Sequence, residues 1–413
     1  MTKQSDTTHS DTTQSDTTQR LAHLSVLISG ASVAGPALAL QLSKYGANVT
    51  VVEKAPALRK GGFAVDFRGR AHRTALQRLG IRDEVHARQT HMGRQSVVDA
   101  DGSARVDLPA AFMSGDVEIF RGDLSEILYE RTKDRVEYVF GDSIATLTED
   151  ADGVDVTFGR GAPRRFDLVV GADGLHSHTR RLTFGDKGHH LRHLGYYVAG
   201  FDLPNHLGLD RTARLYSEPG RMAALSNYDG DPERAGAMLV FASERLDYDR
   251  HDIAAQKKLL AERFADMGWE TPTILAALEA TDGLYFDAIA QVHVERLSKG
   301  RVVLLGDAGY GATMGGMGTG SAIVCAYVLA GELALVGGDH RVAFAAYEAE
   351  VGDFAKGCQK TAENAGPFLA PPTEKHVRRR DRAYRMLSSR LLAGVFKRLT
   401  EKAASAITLK DYS

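Results

Sequence analysis

Three glycine-containing motifs, two of them with an aspartate after a short apolar run, carry the residues of this chain that could do chemistry. They are GASVAG at 30–35, DLVVGADGLHSHTRR at 167–181 and RVVLLGDAGYGATMGGMGTG at 301–320. A glycine-rich turn lets the backbone approach a phosphate group or a flat ring, and an acid at the end of a strand can accept a hydrogen bond from a hydroxyl group. Together the motifs predict a site for a cofactor that contains phosphates and hydroxyls.

The first motif has the residue types of a dinucleotide-binding turn. Gly30 permits a tight turn, Gly35 permits close packing of a helix on a strand, and Ser32 stands where the usual fingerprint has its second glycine. Glu53 ends the next strand, about 20 residues further on, where it can accept a hydrogen bond from a ribose hydroxyl. The alternative is a glycine-rich turn in an ordinary βαβ unit, and the acid at the end of the second strand favours dinucleotide binding.

The elements around this turn predict a doubly wound α/β sheet. LSVLIS at 24–29 and NVTVVE at 48–53 are short runs rich in β-branched residues, and a helix begins at Pro36 between them. This is the pattern of buried parallel strands joined by a crossover helix. The apolar runs of the second and third motifs, at 166–173 and 300–308, add further strands of the same kind.

The remaining segments predict a discontinuous arrangement of domains. The tract SDTT occurs three times near the N-terminus, and such a polar repeat predicts a disordered tail over 1–22. Longer, half-buried strands then predict a sheet-based second domain at 185–295, inserted between the two parts of a nucleotide-binding domain at 23–184 and 296–372. A C-terminal bridging helix is expected within 373–413, with an apolar face that includes Met386, Leu387, Leu391, Leu392 and Val395.

Composition excludes some classes of partner. With 51 basic and 53 acidic side chains the formal net charge is -2, which gives no electrostatic reason to expect nucleic acid or an anionic membrane. No apolar run reaches the ~18 residues of a membrane span, so no stable membrane association is expected. Cys325 and Cys358 are expected to be small buried thiols, and the low cysteine content favours a reducing, cytoplasmic location.

The order and spacing of the three motifs resemble those of the flavoprotein aromatic hydroxylases, the class A flavin monooxygenases. The resemblance covers roughly residues 24–400. FRGDLSEIL at 120–128 resembles the family segment in which an arginine contacts FAD, and GGFAVDFRG at 61–69 resembles a glycine-containing stretch near the flavin. Within the family, the chain is most similar to the branch of tetracycline-inactivating monooxygenases and polyketide hydroxylases.

The resemblance implies a glutathione-reductase-like Rossmann domain that binds FAD, with the inserted sheet as the substrate domain. Because only one dinucleotide fingerprint is present, it also implies that NADPH or NADH binds transiently, reduces FAD and leaves. Reduced flavin would then react with dioxygen to give a flavin hydroperoxide, which hydroxylates or oxygenates a small aromatic or polycyclic molecule, as in antibiotic modification. The candidate cofactor-binding residues are Gly30, Ser32, Ala34, Gly35, Glu53, Lys54, Arg121, Asp173, Asp307, Gly316, Gly318 and Thr319.

No acid–base residue or metal site is predicted, because the cofactor supplies the difficult chemistry. The histidines at 176, 178, 189, 190 and 193 are interpreted as solvated loop residues rather than metal ligands. The third motif departs from the family pattern: Thr313 and Met314 occupy the usual proline region, and Gly320 lies near the usual asparagine. These changes are expected to alter the shape of the site more than FAD binding.

Other functions remain open from the sequence alone. A flavin halogenase usually shows a tryptophan-rich signature, and this chain has only Trp269. A flavin oxidase would not need NADPH, a nicotinamide-dependent dehydrogenase would use the fingerprint directly, and a non-catalytic flavin-binding module would need no substrate domain.

Overall fold

The computed structural model describes residues 19–59, 61–108, 115–185, 190–315, 317–387 and 406–412. Its strands are β1 (Ser25–Ser29), β2 (Asn48–Glu53), β3 (Ala64–Phe67), β4 (Gln95–Val98), β5 (Ala104–Leu108), β6 (Val117–Phe120), β7 (Glu137–Phe140), β8 (Ile144–Glu149), β9 (Val154–Phe158), β10 (Arg164–Phe166), β11 (Leu168–Gly171), β12 (Leu191–Pro204), β13 (Ala213–Glu218), β14 (Arg221–Ser226), β15 (Arg234–Ala242), β16 (Tyr285–Val292), β17 (Ser298–Lys299) and β18 (Val302–Leu304). Its helices are α1 (Ala34–Lys44), α2 (Gly69–Leu79), α3 (Arg82–Ala87), α4 (Arg121–Glu130), α5 (His178–Phe184), α6 (Ile253–Phe264), α7 (Thr271–Ala280), α8 (Asp307–Tyr310), α9 (Gly318–Leu335), α10 (His340–Ala362), α11 (Ala365–Leu369) and α12 (Glu374–Leu387).

A six-stranded sheet in the order β17-β18-β11-β1-β2-β7 forms the centre of the first domain. All its neighbouring strands are parallel except the β17–β18 pair. The carboxyl ends of β1, β2, β11 and β18 therefore lie at one edge of the sheet, where ligands bind in open α/β folds. The three motifs follow β1, β11 and β18 and so meet at this edge, as the sequence predicts.

The two faces of this sheet are covered by different layers. Residues such as Val26, Ile28 and Val51 belong to a core with helices that include α1, α9 and α10. Leu27 and Val52 alternate with them and pack against a three-stranded antiparallel sheet of order β10-β9-β8. Continuous apolar strands thus result from burial on both faces.

A seven-stranded sheet in the order β16-β12-β15-β14-β13-β4-β5 forms the second domain. One face packs against α6 and α7, and the other carries a separate apolar cluster that also contains Phe63 and Leu369 of the first domain's chain segments. Strands β4 and β5 come from residues 95–108, so this sheet extends beyond the predicted range 185–295. The early, short strands did not reveal this because strand pairing across a long chain separation leaves no local pattern.

The two ends of the described chain correct two expectations. Leu21, assigned to the predicted tail, is 0% exposed, and its amide donates to the Tyr45 carbonyl at 2.9 Å. Of the predicted C-terminal helix, the described residues include α12; residues 406–412 contain no helix, and Ile407 and Tyr412 are buried in the core of the first domain. Residues 1–18 and the expected apolar positions 391, 392 and 395 lie outside the described residues.

The long helix α9 is apolar enough and long enough to span a membrane by length and composition alone. The sequence analysis missed this candidate because glycines, Ser321 and Glu332 interrupt the run. Most of the helix is buried inside the protein, as in a core helix of a globular fold.

Candidate functional site

The turn after β1 is tightly packed. Gly30 has a φ of +112°, and a Cβ added there would lie 2.4 Å from the Ala172 carbonyl oxygen. A Cβ at Gly35 would lie 2.0 Å from the Gly30 carbonyl oxygen. Any side chain at these two positions would clash with backbone, so the turn requires both glycines, as the sequence predicts.

Helix α1 starts two residues before the predicted Pro36, at Ala34, with Val33 as its N-cap residue. Its first turn contains no acidic side chain, so the positive end of the helix dipole is not neutralised by its own residues. Ala34 faces Gly306 of the third motif, where an added Cβ would lie 3.1 Å from the Ala34 Cβ. This helix end could hold a pyrophosphate.

Glu53 ties the end of β2 to this turn. Its Oε2 accepts a hydrogen bond from the Ala31 amide at 2.9 Å, and its Oε1 accepts one from the Ala55 amide at 2.8 Å. The carboxylate is thereby fixed at the sheet edge, and each oxygen retains a lone pair that could accept a ribose hydroxyl. Lys54, the next candidate, is exposed.

Arg121 places a positive charge at the centre of the site. Its guanidinium donates from Nη1 to the Ser32 Oγ at 3.0 Å, and a Cβ on Gly62 would lie 3.0 Å from its Nε. Burial lowers the pKa of Arg121, and the negative charges of Asp307 and Glu53 act in the opposite direction. The half-buried cation therefore stands within electrostatic reach of both acids.

Asp173, in contrast, directs its carboxylate into its own loop. Its Oδ2 accepts from the amides of His178 and Thr179, both at 2.9 Å, and its Oδ1 accepts from the Ser177 hydroxyl. These bonds satisfy the first amides of α5. Asp173, which was predicted to bind the cofactor, therefore caps α5 in the structure.

Arg180 of the second motif also holds the loop of the third motif in place. Arg180 is buried, and its guanidinium donates to the carbonyl oxygens of Ala308 and Leu175, both at 2.8 Å. This contact, which the sequence analysis did not identify, fixes the loop that follows β18.

Asp307 opens α8 after Gly306, whose φ is +64°. The residue is exposed, yet burial raises the pKa of its carboxyl group, with Arg121 opposing that shift. The side chain is therefore reachable from solvent although protein atoms surround its carboxyl group, and we call the space beside Asp307 and Arg121 the cleft. Within the described part of the chain the carboxylate has no recorded hydrogen bond, so it is available to a ligand hydroxyl.

The glycine-rich loop brings the start of α9 close to Asp307. A Cβ at Gly318 would lie 3.3 Å from the Asp307 Oδ1, and Thr319 is half-buried in the first turn of the helix. That turn contains no acidic residue, so it could stabilise a negatively charged ring. Gly316 lies outside the described residues.

His72 explains why residue 320 is a glycine. A Cβ at Gly320 would lie 2.4 Å from the His72 Cε1, because the buried imidazole fills that space. The His72 Nδ1 accepts from the Arg68 amide at 3.1 Å, and burial lowers the pKa of the imidazole to about 4. A neutral ring thus occupies the place of a side chain on α9.

His176 and His193 form hydrogen bonds within the protein, whereas the sequence predicts solvated loop residues. His176 bonds through Nε2 to the Asp287 carboxylate at 2.9 Å, and His193 lies in β12 with its Nε2 2.9 Å from the Ser243 carbonyl oxygen. His189 lies outside the described residues. In the part of the chain that is described, no group of three or more metal-ligating side chains occurs. Cys325 and Cys358 are free and buried, as expected.

These residues fit FAD. The sheet edge offers two glycines with no space for a side chain, a helix end without its own acid, and an acid bound to the turn. In the cleft, the available carboxylate of Asp307 lies within electrostatic reach of the half-buried Arg121. When bound, FAD would supply the redox chemistry, and the protein would supply position, charge and exclusion of water.

Comparisons with known proteins agree with this geometry. Residues 23–207 match the family described as FAD binding domain. A flavin-dependent monooxygenase from an unknown prokaryotic organism is 41% identical over 327 residues, covering 78% of this chain and 84% of the relative. A flavin-dependent monooxygenase of Legionella longbeachae is 39% identical over 343 residues, covering 82% of this chain and 87% of the relative.

A solved structure supports the same family assignment. The crystal structure of tetracycline destructase Tet(55) is similar with a TM-score of 0.80 and 37% identity, over 94% of this chain and 98% of the other. The predicted fold class is therefore confirmed, and so is FAD as cofactor with NAD(P)H as its reductant. The chain belongs to the family of FAD-dependent monooxygenases.

Proposed function

We propose that this monooxygenase inserts an oxygen atom into an electron-rich aromatic or polycyclic enolic molecule related to the polyketides. The observation that carries the proposal is that the charged pair Arg121 and Asp307 lies next to an apolar cluster of the seven-stranded sheet, since the Arg121 amide donates to the carbonyl of Phe63, a member of that cluster. The likeness to Tet(55) supports a polycyclic substrate, because it extends over nearly the whole of both chains.

FAD is proposed to lie along the edge of the six-stranded sheet. Gly30, Ser32, Ala34 and Gly35 would hold the pyrophosphate, and Glu53 would hold the ribose of the adenosine. Arg121, Asp307 and the start of α9, at Gly318 and Thr319, would surround the flavin end. Asp173 would act indirectly, because its carboxylate caps α5 while Arg180 of the same motif fixes the loop that carries Asp307.

The face of the seven-stranded sheet turned toward the first domain suits a flat, apolar substrate. Its apolar cluster includes Tyr196, Val198 and Ile289, and half-buried side chains complete the surface: Phe63, Leu194, Tyr228, Met238, Met314 and Phe368. Such a wall excludes water from a reacting centre, which oxygen transfer from reduced flavin requires. Electron-rich carbons are the ones that accept an electrophilic oxygen.

The direct test measures NADPH and NADH oxidation by the purified, FAD-loaded enzyme with tetracycline, simpler phenols and no substrate. We expect slow oxidation alone, faster oxidation with a true substrate, and a product that contains one atom from ¹⁸O₂ by mass spectrometry. A substrate that is consumed without gaining oxygen from dioxygen would refute the proposal and favour an oxidase.

A further inference from the structure

Tyr285 lies on the side of the seven-stranded sheet that faces the FAD domain. It opens β16 and pairs with Gly200 of β12. Its neighbour Phe286 points to the opposite face, into the core beneath α6 and α7. Asp287, on the same face as Tyr285, bonds to His176 of the first domain. Alternation along the strand therefore turns the Tyr285 side chain toward the cleft.

The position of the Tyr285 ring is fixed by a contact across the domain boundary. Phe63 meets it edge-to-face, with ring centroids 5.5 Å apart. Phe63 can approach only because Gly200 has no side chain: a Cβ there would lie 2.4 Å from the Phe63 Cζ. The Phe63 carbonyl in turn accepts a hydrogen bond from the Arg121 amide at 3.2 Å. The ring is thus held next to the residues of the FAD site.

The hydroxyl of Tyr285 lies within electrostatic reach of Arg121 and Asp307, the charged residues beside the cleft. The residue is 43% exposed, yet burial raises the pKa of its phenol, and the charges of Asp287, Asp307 and Arg121 all act on it. No hydrogen bond to this hydroxyl is recorded within the described residues. It is therefore a neutral donor, reachable from the cleft and without an internal partner.

We propose that Tyr285 binds the substrate, donating a hydrogen bond to the phenol or enol oxygen of the ring that is oxygenated, while Phe63 holds the tyrosine in place. This assignment rests on the proposed substrate class. The hydrogen bond orients a flat ring whose other contacts are apolar and therefore non-directional. A positioned oxygen fixes which carbon is presented for reaction.

The test uses FAD-loaded wild type and Tyr285→Phe, titrated with tetracycline and with 4-nitrophenol while flavin absorbance and fluorescence are followed. We expect the variant to retain FAD, to bind the probe roughly tenfold or more weakly, and to release more hydrogen peroxide per product. Gly200→Ala should give the same result by displacing Phe63. Tyr248→Phe is the matched control, because Tyr248 packs against Phe286 and Tyr197 on the far face.

The outcomes of this test distinguish a failure of the Tyr285 assignment from a failure of the proposed substrate class. Wild-type affinity and coupling in Tyr285→Phe, with a wild type that binds and oxygenates a probe, overturn the assignment of Tyr285 alone. A wild type that oxidises NADPH but binds neither probe overturns the substrate class, and with it the phenol or enol oxygen assigned to Tyr285.

Discussion

At the scale of single residues, the site depends on the carboxylate of Asp307, whose surroundings disfavour its ionised form. Burial raises the pKa of Asp307, and only Arg121 opposes that shift. A ligand hydroxyl would offset the loss of water around the ionised form. Residues with perturbed pKa values and no internal partner are typical of binding sites.

We expect Asp307→Asn to weaken FAD binding by roughly 10–150-fold, the effect of losing one charge-assisted hydrogen bond of about 1.5–3 kcal/mol. Because the ionised carboxylate is the acceptor, wild-type affinity should fall as pH falls through the raised pKa, whereas the variant should change little. Fluorescence titration of apoprotein with FAD across pH measures both. Asp247→Asn, an exposed acid of the other domain, is the control. Equal affinities in variant and wild type would remove Asp307 from the FAD site.

Gly320 and His72 form a second pair whose residue types depend on each other. In an ordinary helix Gly→Ala stabilises by up to about 1 kcal/mol. Here the added methyl group would meet the buried His72 ring at 2.4 Å, and overpacking costs about 1–3 kcal/mol. We expect Gly320→Ala to lower the melting temperature of the protein in a His72 background and to raise it or leave it unchanged in a His72→Ala background. Additive effects in the double variant would contradict the contact.

The residue scale also shows what the sequence could and could not predict. Gly30 and Gly35 were identified with their geometric tasks, because turn positions are local properties. Glu53 was predicted as a ribose ligand, which stays a prediction, and its bonds to the Ala31 and Ala55 amides were not predicted. The capping bonds of Asp173 are equally local, yet the cofactor interpretation of the motif masked them. Tyr285 and His72 gave no signal, because the contacts of Tyr285 with Phe63 and of His72 with Gly320 join chain segments more than 100 residues apart.

At the scale of elements, α9 is held at both ends by different parts of the chain. Its N-terminus lies at the cleft, and near its C-terminus Glu332 accepts from the Tyr412 hydroxyl at 2.7 Å and from Lys410 at 2.8 Å. Tyr412 packs directly on Gly331, where a Cβ would lie 2.2 Å from its ring. The segment 406–412 therefore secures the helix that the FAD site uses.

Tyr412→Ala is expected to destabilise the protein by about 3–5 kcal/mol, the range for removing a large buried ring. Tyr412→Phe removes only the hydroxyl and should cost about 1–3 kcal/mol, because Glu332 loses one of its two recorded partners. Urea unfolding of both variants distinguishes packing from hydrogen bonding. A neutral Tyr412→Ala would mean that the segment is dispensable for the fold.

The elements themselves were predicted best where burial is continuous. Strand β2 has the predicted bounds, and β1 begins one residue after its predicted start at 24. The joining of β4 and β5 to the second sheet was not predicted, and the non-helical segment 406–412 was predicted as part of a helix. Both depend on contacts between distant segments, which periodicity does not report.

At the scale of the whole molecule, the two domains must meet two conflicting requirements. NAD(P)H must reach the flavin to reduce it, whereas oxygen transfer needs a closed, dry site. Bound substrate can favour the closed arrangement only if it contacts both domains. Phe63 with Tyr285, and His176 with Asp287, are contacts that cross the boundary in the described structure.

We expect Asp287→Asn to increase the hydrogen peroxide released per NADPH about two- to tenfold in the presence of substrate. Weakening the bond to His176 should loosen the closed arrangement, and a net hydrogen bond is worth about 0.5–1.5 kcal/mol. Glu270→Gln is a matched control, since His206 and Glu270 form a similar pair at 2.9 Å within the second domain alone. Stopped-flow spectroscopy, a peroxide assay and product analysis measure the rates of flavin reduction, peroxide release and product formation. If both variants couple NADPH oxidation to product as tightly as the wild type, the His176–Asp287 contact holds the domains together without influencing closure over the flavin.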